Sequence, residues 1–158
     1  MGDTLNRTDG QTSKERLRLW LRLLKLSRMI EGELRERLRA DHGTTLPRFD
    51  VLAALYRADG GLKMSELSGA LRVSNGNVTG IVDRLVEEGM VVRAAVEGDR
   101  RVSRISLTRK GRQGFARLAE EHEGWVDGML SGVPADEARM LAERLRGIAD
   151  QIDGSAGR

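Results

Sequence analysis

Asn75, Asn77 and Arg84 place two amides and a guanidinium along a stretch whose apolar spacing is helical. An amide can bond the N7 and N6 edge of adenine in a bidentate fashion, and a guanidinium can do the same to guanine, so the set suits the reading of base edges in a major groove. Ser74 precedes it as a candidate N-cap, accepting from the backbone N–H of Asn77, and Thr79 adds a hydroxyl to the same candidate surface. Gly76 and Gly80 interrupt the helix at a cost of about 1 kcal/mol each relative to alanine. That argues for a backbone brought close to something large, although Gly76 equally fits a frayed first turn. Exposed asparagine is common at any helix start, so these residues gain their weight from what surrounds them.

A second group lies downstream. From Arg93 to Arg112 seven basic side chains (Arg93, Arg100, Arg101, Arg104, Arg109, Lys110 and Arg112) stand against only Glu97 and Asp99, whereas from Gln113 to Arg158 there are five basic residues and nine acidic ones. The whole chain carries a net charge of only +3, so this stretch is far more basic than the chain as a whole. A charge run is usually a solvated face. Here Gly98-Asp99 signals a turn between MVVRAAV and VSRISL, two stretches with the β-branched content of paired strands. A hairpin this short buries almost nothing at its tip, so Arg100 and Arg101 are expected to project into solvent beside Arg104.

The intervening pattern supplies the frame for both groups. Val78, Ile81, Val82 and Leu85 recur at the spacing of one buried helix face, and Gly89 is the expected stop. Upstream, Ser65 is a candidate cap for a shorter helix burying Leu67, Ala70 and Leu71, with Val73 filling the turn. Helix, turn, helix and basic hairpin, in that order, predict a winged helix-turn-helix lobe over residues 62–111.

These residues resemble a known family. Asp99-x-Arg101-x-x-x-Ile105-x-Leu107-Thr108, followed by Lys110-Gly111, resembles the wing signature of the multiple-antibiotic-resistance regulator (MarR) family, and SNGNVTGIVDRLVEEGMVVR is similar to its recognition helix and exit strand. The likeness extends over nearly the whole chain. It implies that the helix from Asn75 enters the major groove of a double-stranded DNA operator, that Arg101 reaches into the minor groove, and that Asp99 orients the wing through an ion pair. Asn75-Gly76 departs from the family's more usual small polar pair, so no operator sequence is implied. The stretch LPRFDVLAALYRADGGLKMSELS resembles relatives that regulate catabolism of aromatic acids, including those answering to acyl-CoA thioesters.

The flanks read as helices that make a dimer. Leu17, Leu21, Leu24, Ile30, Leu34 and Leu38 mark a first helix from about Ser13 to Ala40, and Leu19, Trp20, Leu23, Leu26 and Met29 widen its apolar surface almost all round. Pro47 suits the first turn of a second helix carrying Phe49, Leu52, Leu55 and Tyr56 and ended by Gly60-Gly61, which completes an N-terminal helical region over 13–61. Phe115, Leu118, His122, Trp125 and Met129 form one further stripe, and Ala138, Leu141, Leu145, Ile148 and Ile152 another, in C-terminal helices over 112–153. Such stripes are more often intramolecular core than interface. Three of them outside the DNA lobe are what a two-fold dimer would bury while presenting two recognition helices. Residues 1–12 and 154–158 are expected to be disordered. The fold class is therefore mostly α with a small β-hairpin wing, an α+β winged helix-turn-helix.

Composition narrows the function further. At 158 residues and 39% hydrophobic content the chain can bury one core but hardly two. Cysteine is absent, which excludes disulfides, thiolate metal sites and thiol redox switching. With two histidines, no G-x-S-x-G elbow and no Walker-A loop, a catalytic role is not expected, nor is any cofactor. EEHE at Glu120–Glu123 offers metal ligands, but its histidine lies on an apolar stripe and reads more readily as a core residue. No run approaches a membrane span and the N-terminus lacks an apolar leader core, so a cytoplasmic protein without a membrane partner is expected. Trp20, Arg28, Phe49 and Tyr56 are candidate effector-binding residues, aromatics to bury a ring and a cation to meet an acid, although each also fits core or surface. The sequence thus points to a homodimeric repressor released from a palindromic operator by an aromatic carboxylate or its CoA thioester. An architectural DNA-binding protein without an effector, and a metal-responsive regulator, are the alternatives.

Overall fold

The computed structural model describes residues 3–71, 75–96 and 99–156, with side chains over 10–71, 77–95 and 103–155. The elements are α1 (Asp3–His42), α2 (Leu46–Arg57), β1 (Leu62–Lys63), α3 (Met64–Leu71), α4 (Asn75–Glu87), β2 (Val91–Val96), β3 (Asp99–Leu107), α5 (Arg109–Met129) and α6 (Ala135–Ala156). The strands make one antiparallel sheet in the order β1-β3-β2. This is the expected winged helix-turn-helix, with one strand that the sequence did not advertise. β1 is two residues long, and Leu62 pairs with Ile105 and Lys63 with Arg104. It can lie there because Gly61, at φ +80°, passes so close that a Cβ would sit 2.3 Å from the Ile105 carbonyl oxygen.

Two expected ends are corrected. α1 begins at Asp3, so residues 3–12 are helical, and α6 runs on to Ala156, into the segment expected to be disordered. Once a long helix exists, each added residue gains a backbone bond without a new nucleus, and neither segment contains proline. The cap of α3 is corrected too. Ser65 lies inside that helix, and Glu66 Oε2 instead accepts the Lys63 N–H at 2.8 Å, which is the reaching-back half of a capping box. Leu67 is fully buried and Ser68 nearly so, whereas Ala70 is exposed.

The wing and α4 follow the sequence closely. Val78, Val82 and Leu85 are fully buried, each contributing roughly 1.5–3 kcal/mol on burial, and Ile81 is half-buried. At the end of α4, Gly89 takes φ +70°, its N–H bonds Val86 O at 2.9 Å, and the Met90 N–H bonds Leu85 O at 2.9 Å. These are the paired bonds of a Schellman motif. β2 then pairs with β3 from Val91↔Leu107 to Val96↔Asp99, with an irregularity between Ala95 and Val96.

The core gathers Leu34 and Leu38 of α1, Phe49, Val51, Leu52 and Leu55 of α2, Leu67, the α4 face, Val91, Ile105 and Phe115. Met1–His122 forms one compact unit and Glu123–Arg158 a second. In the first, the α1 residues Leu17, Trp20, Leu21 and Met29 are more than half exposed in the chain by itself. In the second, a turn at 130–133 leads through Pro134 into α6, where Asp136 and Glu137 suit the positive end of the helix dipole. Met140, Leu141, Leu145 and Ile152 of α6 are exposed.

Candidate nucleic-acid interface

α4 carries its polar candidates on the side away from the core. Asn77, Gly80 and Arg84 follow at intervals of three and four, all exposed, while Val78, Val82 and Leu85 face inward. Thr79 is half-buried. Ser74 lies outside the described residues. Asn75 starts α4, and Asp99, Arg100 and Arg101 start β3, but their side chains lie outside the described ones. Arg104 is half-buried, with Nη1 donating to Gly61 O at 2.7 Å, so part of its donor fork already supports the turn before β1.

Asn77, Gly80, Ile81 and Arg84 line a groove of about 260 Å³ together with Thr45 and Arg48 from the start of α2. Arg48 was not singled out by the sequence. It donates from both Nη atoms to the Glu88 carboxylate, at 2.9 and 2.5 Å, and that bond holds the Glu88 carboxyl below the usual carboxylate range. Arg93 of β2 donates to Asp83 of α4 at 2.6 Å, tying wing to helix. Neither partner is legible locally, because 40 residues separate Arg48 from Glu88 and ten separate Asp83 from Arg93.

The carboxyl end of α4 is seated on α5. Lys110 Nζ donates to Glu88 O at 2.9 Å, Thr108 Oγ1 to Gly89 O at 2.6 Å, and the Thr108 N–H to Met90 O at 3.0 Å. The same Thr108 hydroxyl accepts the Gly111 N–H at 3.0 Å as the cap of α5. Gly111 is buried against Met90, where a Cβ would stand 1.9 Å from the Met90 carbonyl oxygen. The Lys110-Gly111 pair of the wing signature thus has a structural task.

The candidate effector residues are not gathered into one place. Trp20 and Arg28 are exposed on α1. At about 1.5 Å per residue, Trp20 lies roughly 21 Å along the helix from Leu34, where α1 enters the core. Phe49 and Tyr56 both pack on Phe115, in a cluster between α2 and α5. The Phe49 ring stacks on His122 at 4.3 Å and lies 5.2 Å from Phe115, and Tyr56 lies 5.1 Å from Phe115 with the Arg112 guanidinium 5.1 Å over its ring. Partial burial pushes the His122 imidazole pKa down, against the pull of Asp50. His42 Nε2 lies 2.9 Å from Glu121 Oε2. Among the described residues no three His, Asp or Glu side chains converge to hold a metal ion, and no helix is long and apolar enough to cross a membrane.

Residues 42–102 match the model of the MarR family. The crystal structure of a MarR family transcriptional regulator from Silicibacter pomeroyi is 36% identical, with 89% of this chain and 97% of that one covered and a TM-score of 0.72. The chain belongs to the MarR family. Among other relatives, the transcriptional activatory protein BadR of Rhodopseudomonas palustris is 31% identical over 147 residues, covering 89% of this chain and 83% of its own. CouR from Rhodococcus jostii RHA1, whose structure is bound to p-coumaroyl-CoA, shares the fold at 22% identity and a TM-score of 0.72, covering 83% of this chain and 91% of that one. A MarR-family member is a DNA-binding regulator of transcription and not an enzyme.

Proposed function

We propose that the chain is a homodimeric repressor that binds a roughly palindromic operator and is released by an aromatic carboxylate or its CoA thioester. The observation that carries the DNA reading is the exposed Asn77–Gly80–Arg84 face of α4, next to the basic wing. Ser74, Asn75, Asn77, Thr79 and Arg84 read the major groove, Arg101 enters the minor groove oriented by Asp99, and Arg100 and the free donors of Arg104 serve the backbone. The exposed apolar residues of α1 and α6 are what a second copy would cover, and a two-fold pair sets half-sites about one helical turn apart. The expected result is a symmetric footprint; one isolated half-site would count against the dimer. Asn77→Ala and Arg84→Ala are each expected to cut the preference for operator over random duplex by about 1–3 kcal/mol, read in paired titrations. Equal losses on both duplexes would remove the base contacts.

Support for the effector comes from the CoA thioester bound by CouR, and from the absence of cysteine, which leaves no thiol to sense oxidation. An aromatic acid would approach the Tyr56 edge of the α2–α5 cluster, where Arg112 supplies a cation, with Trp20 and Arg28 joining from a second copy. The fully packed Phe49 ring favours the second reading, a DNA-binding protein without an effector. Titration of tryptophan fluorescence with p-coumarate and p-coumaroyl-CoA, followed by operator binding with each, separates the two. Binding that weakens operator affinity tenfold requires about 1.4 kcal/mol of coupling, returned as weaker ligand binding to the DNA complex. A tight ligand without effect on operator affinity, or no ligand at all, favours the second reading.

A further inference from the structure

We propose that Arg48 and Glu88 are a positioning pair that fixes the recognition helix against α2, so that Asn77 and Arg84 read bases only while the pair is closed. The proposal rests on the DNA-reading role of α4. Both Nη atoms of Arg48 donate to the two oxygens of Glu88, with the Arg48 side chain 23% and the Glu88 side chain 47% exposed, so the pair's geometric specificity comes from its bidentate fork and not from shielding. Arg48 stands on the wall of the groove that Asn77, Gly80 and Arg84 also line, next to the candidate base contacts. Glu88 stands just past the last residue of α4. Lys110 Nζ donates to the Glu88 backbone carbonyl at 2.9 Å, and the charges of Lys110 and Arg84 add smaller attractions to the same carboxylate. Removing it would free the Arg48 guanidinium.

The fold does not depend on this pair, because α2 and α4 already bury Leu52, Leu55, Val78, Val82 and Leu85. Its placement matters instead for where the Asn77–Arg84 face lies relative to α2. A guanidinium held in this bidentate way keeps about three of its five N–H donors, so it is the salt slope of binding that separates positioning from a direct phosphate contact.

The test uses the full chain, a duplex enriched from a random pool by the parent protein, and a random duplex of the same length. Arg48→Met and Glu88→Gln are each expected to lower the ratio of specific to random binding about fivefold. Thermal midpoints should stay within about 2 °C, the salt slope of binding should not change, and the reversed pair Arg48→Glu with Glu88→Arg should recover most of the ratio. Three outcomes overturn the proposal. In the first, Glu88→Gln leaves the ratio intact while Arg48→Met weakens both duplexes and flattens the salt slope by about one, which makes Arg48 a phosphate contact. In the second, the reversed pair fails to recover the ratio. In the third, the midpoints fall in step with the ratio, which makes the pair a support of the fold. A parent protein that enriches no sequence removes the DNA reading itself, whereas enrichment with unmoved variants removes the pair alone.

Discussion

Gly111→Ala is expected to lower the thermal midpoint by roughly 6–12 °C, through a loss of about 3 kcal/mol. Helix propensity alone predicts the opposite, since alanine gains about 1 kcal/mol over glycine inside a helix. Packing decides the sign. The new Cβ would stand 1.9 Å from the Met90 carbonyl oxygen, a backbone atom that also accepts the Thr108 N–H, so no side-chain rotation relieves the overlap. Gly114 is the control: there a Cβ would lie 3.3 Å from the Met90 Cε, the far end of a flexible chain, and Gly114→Ala should be nearly neutral. Calorimetry on the two variants checks both, and a Gly111→Ala protein as stable as its parent would show that α5 does not seat on Met90.

Arg101→Ala is expected to weaken operator binding by roughly tenfold to a hundredfold, the about 1–3 kcal/mol of a good nucleic-acid contact, and to leave thermal unfolding nearly unchanged. The residue belongs to β3 near the tip of the wing, in the most basic stretch of the sequence, and is the one proposed above to enter the minor groove. Asp99→Ala should produce a smaller loss, because it acts through the orientation of Arg101. Fluorescence anisotropy with labelled operator measures both. Undiminished affinity in Arg101→Ala would take the wing out of the interface.

What the sequence made legible was whatever has a local period or a local stop. The inward spacing of Val78, Val82 and Leu85, the Gly89 terminator and the two wing strands could all be read within a few residues of themselves. What escaped was tertiary. β1 is too short to show alternation and exists because Ile105 and Arg104 offer it an edge. The Arg48–Glu88 fork joins residues whose neighbours in sequence announce nothing. Residue type favours Ser65 as the cap of α3, but the helix already begins at Met64, so the cap position falls on Lys63, whose type does not announce it. The effector candidates rest on chemistry alone, and Trp20 lies on an exposed stretch of α1, whereas Phe49 is buried in the core.

Because Lys110 and Thr108 hold the carbonyls of Glu88 and Gly89 just past the end of α4, while its length rests on the apolar packing of Val78, Val82 and Leu85, a tilt of the proposed recognition helix would pivot near Glu88. A tilt of about 10° at this pivot displaces Arg84, four residues away, by roughly 1 Å, but displaces Asn77, eleven residues away, by roughly 3 Å at about 1.5 Å of rise per residue. A base-edge hydrogen bond survives only a few tenths of an ångström of such displacement, whereas the attraction of a cation to a phosphate fades slowly. Small bending at the root would therefore cost the protein its ability to tell sequences apart before it lost its grip on DNA, leaving it to slide along the duplex instead of falling off.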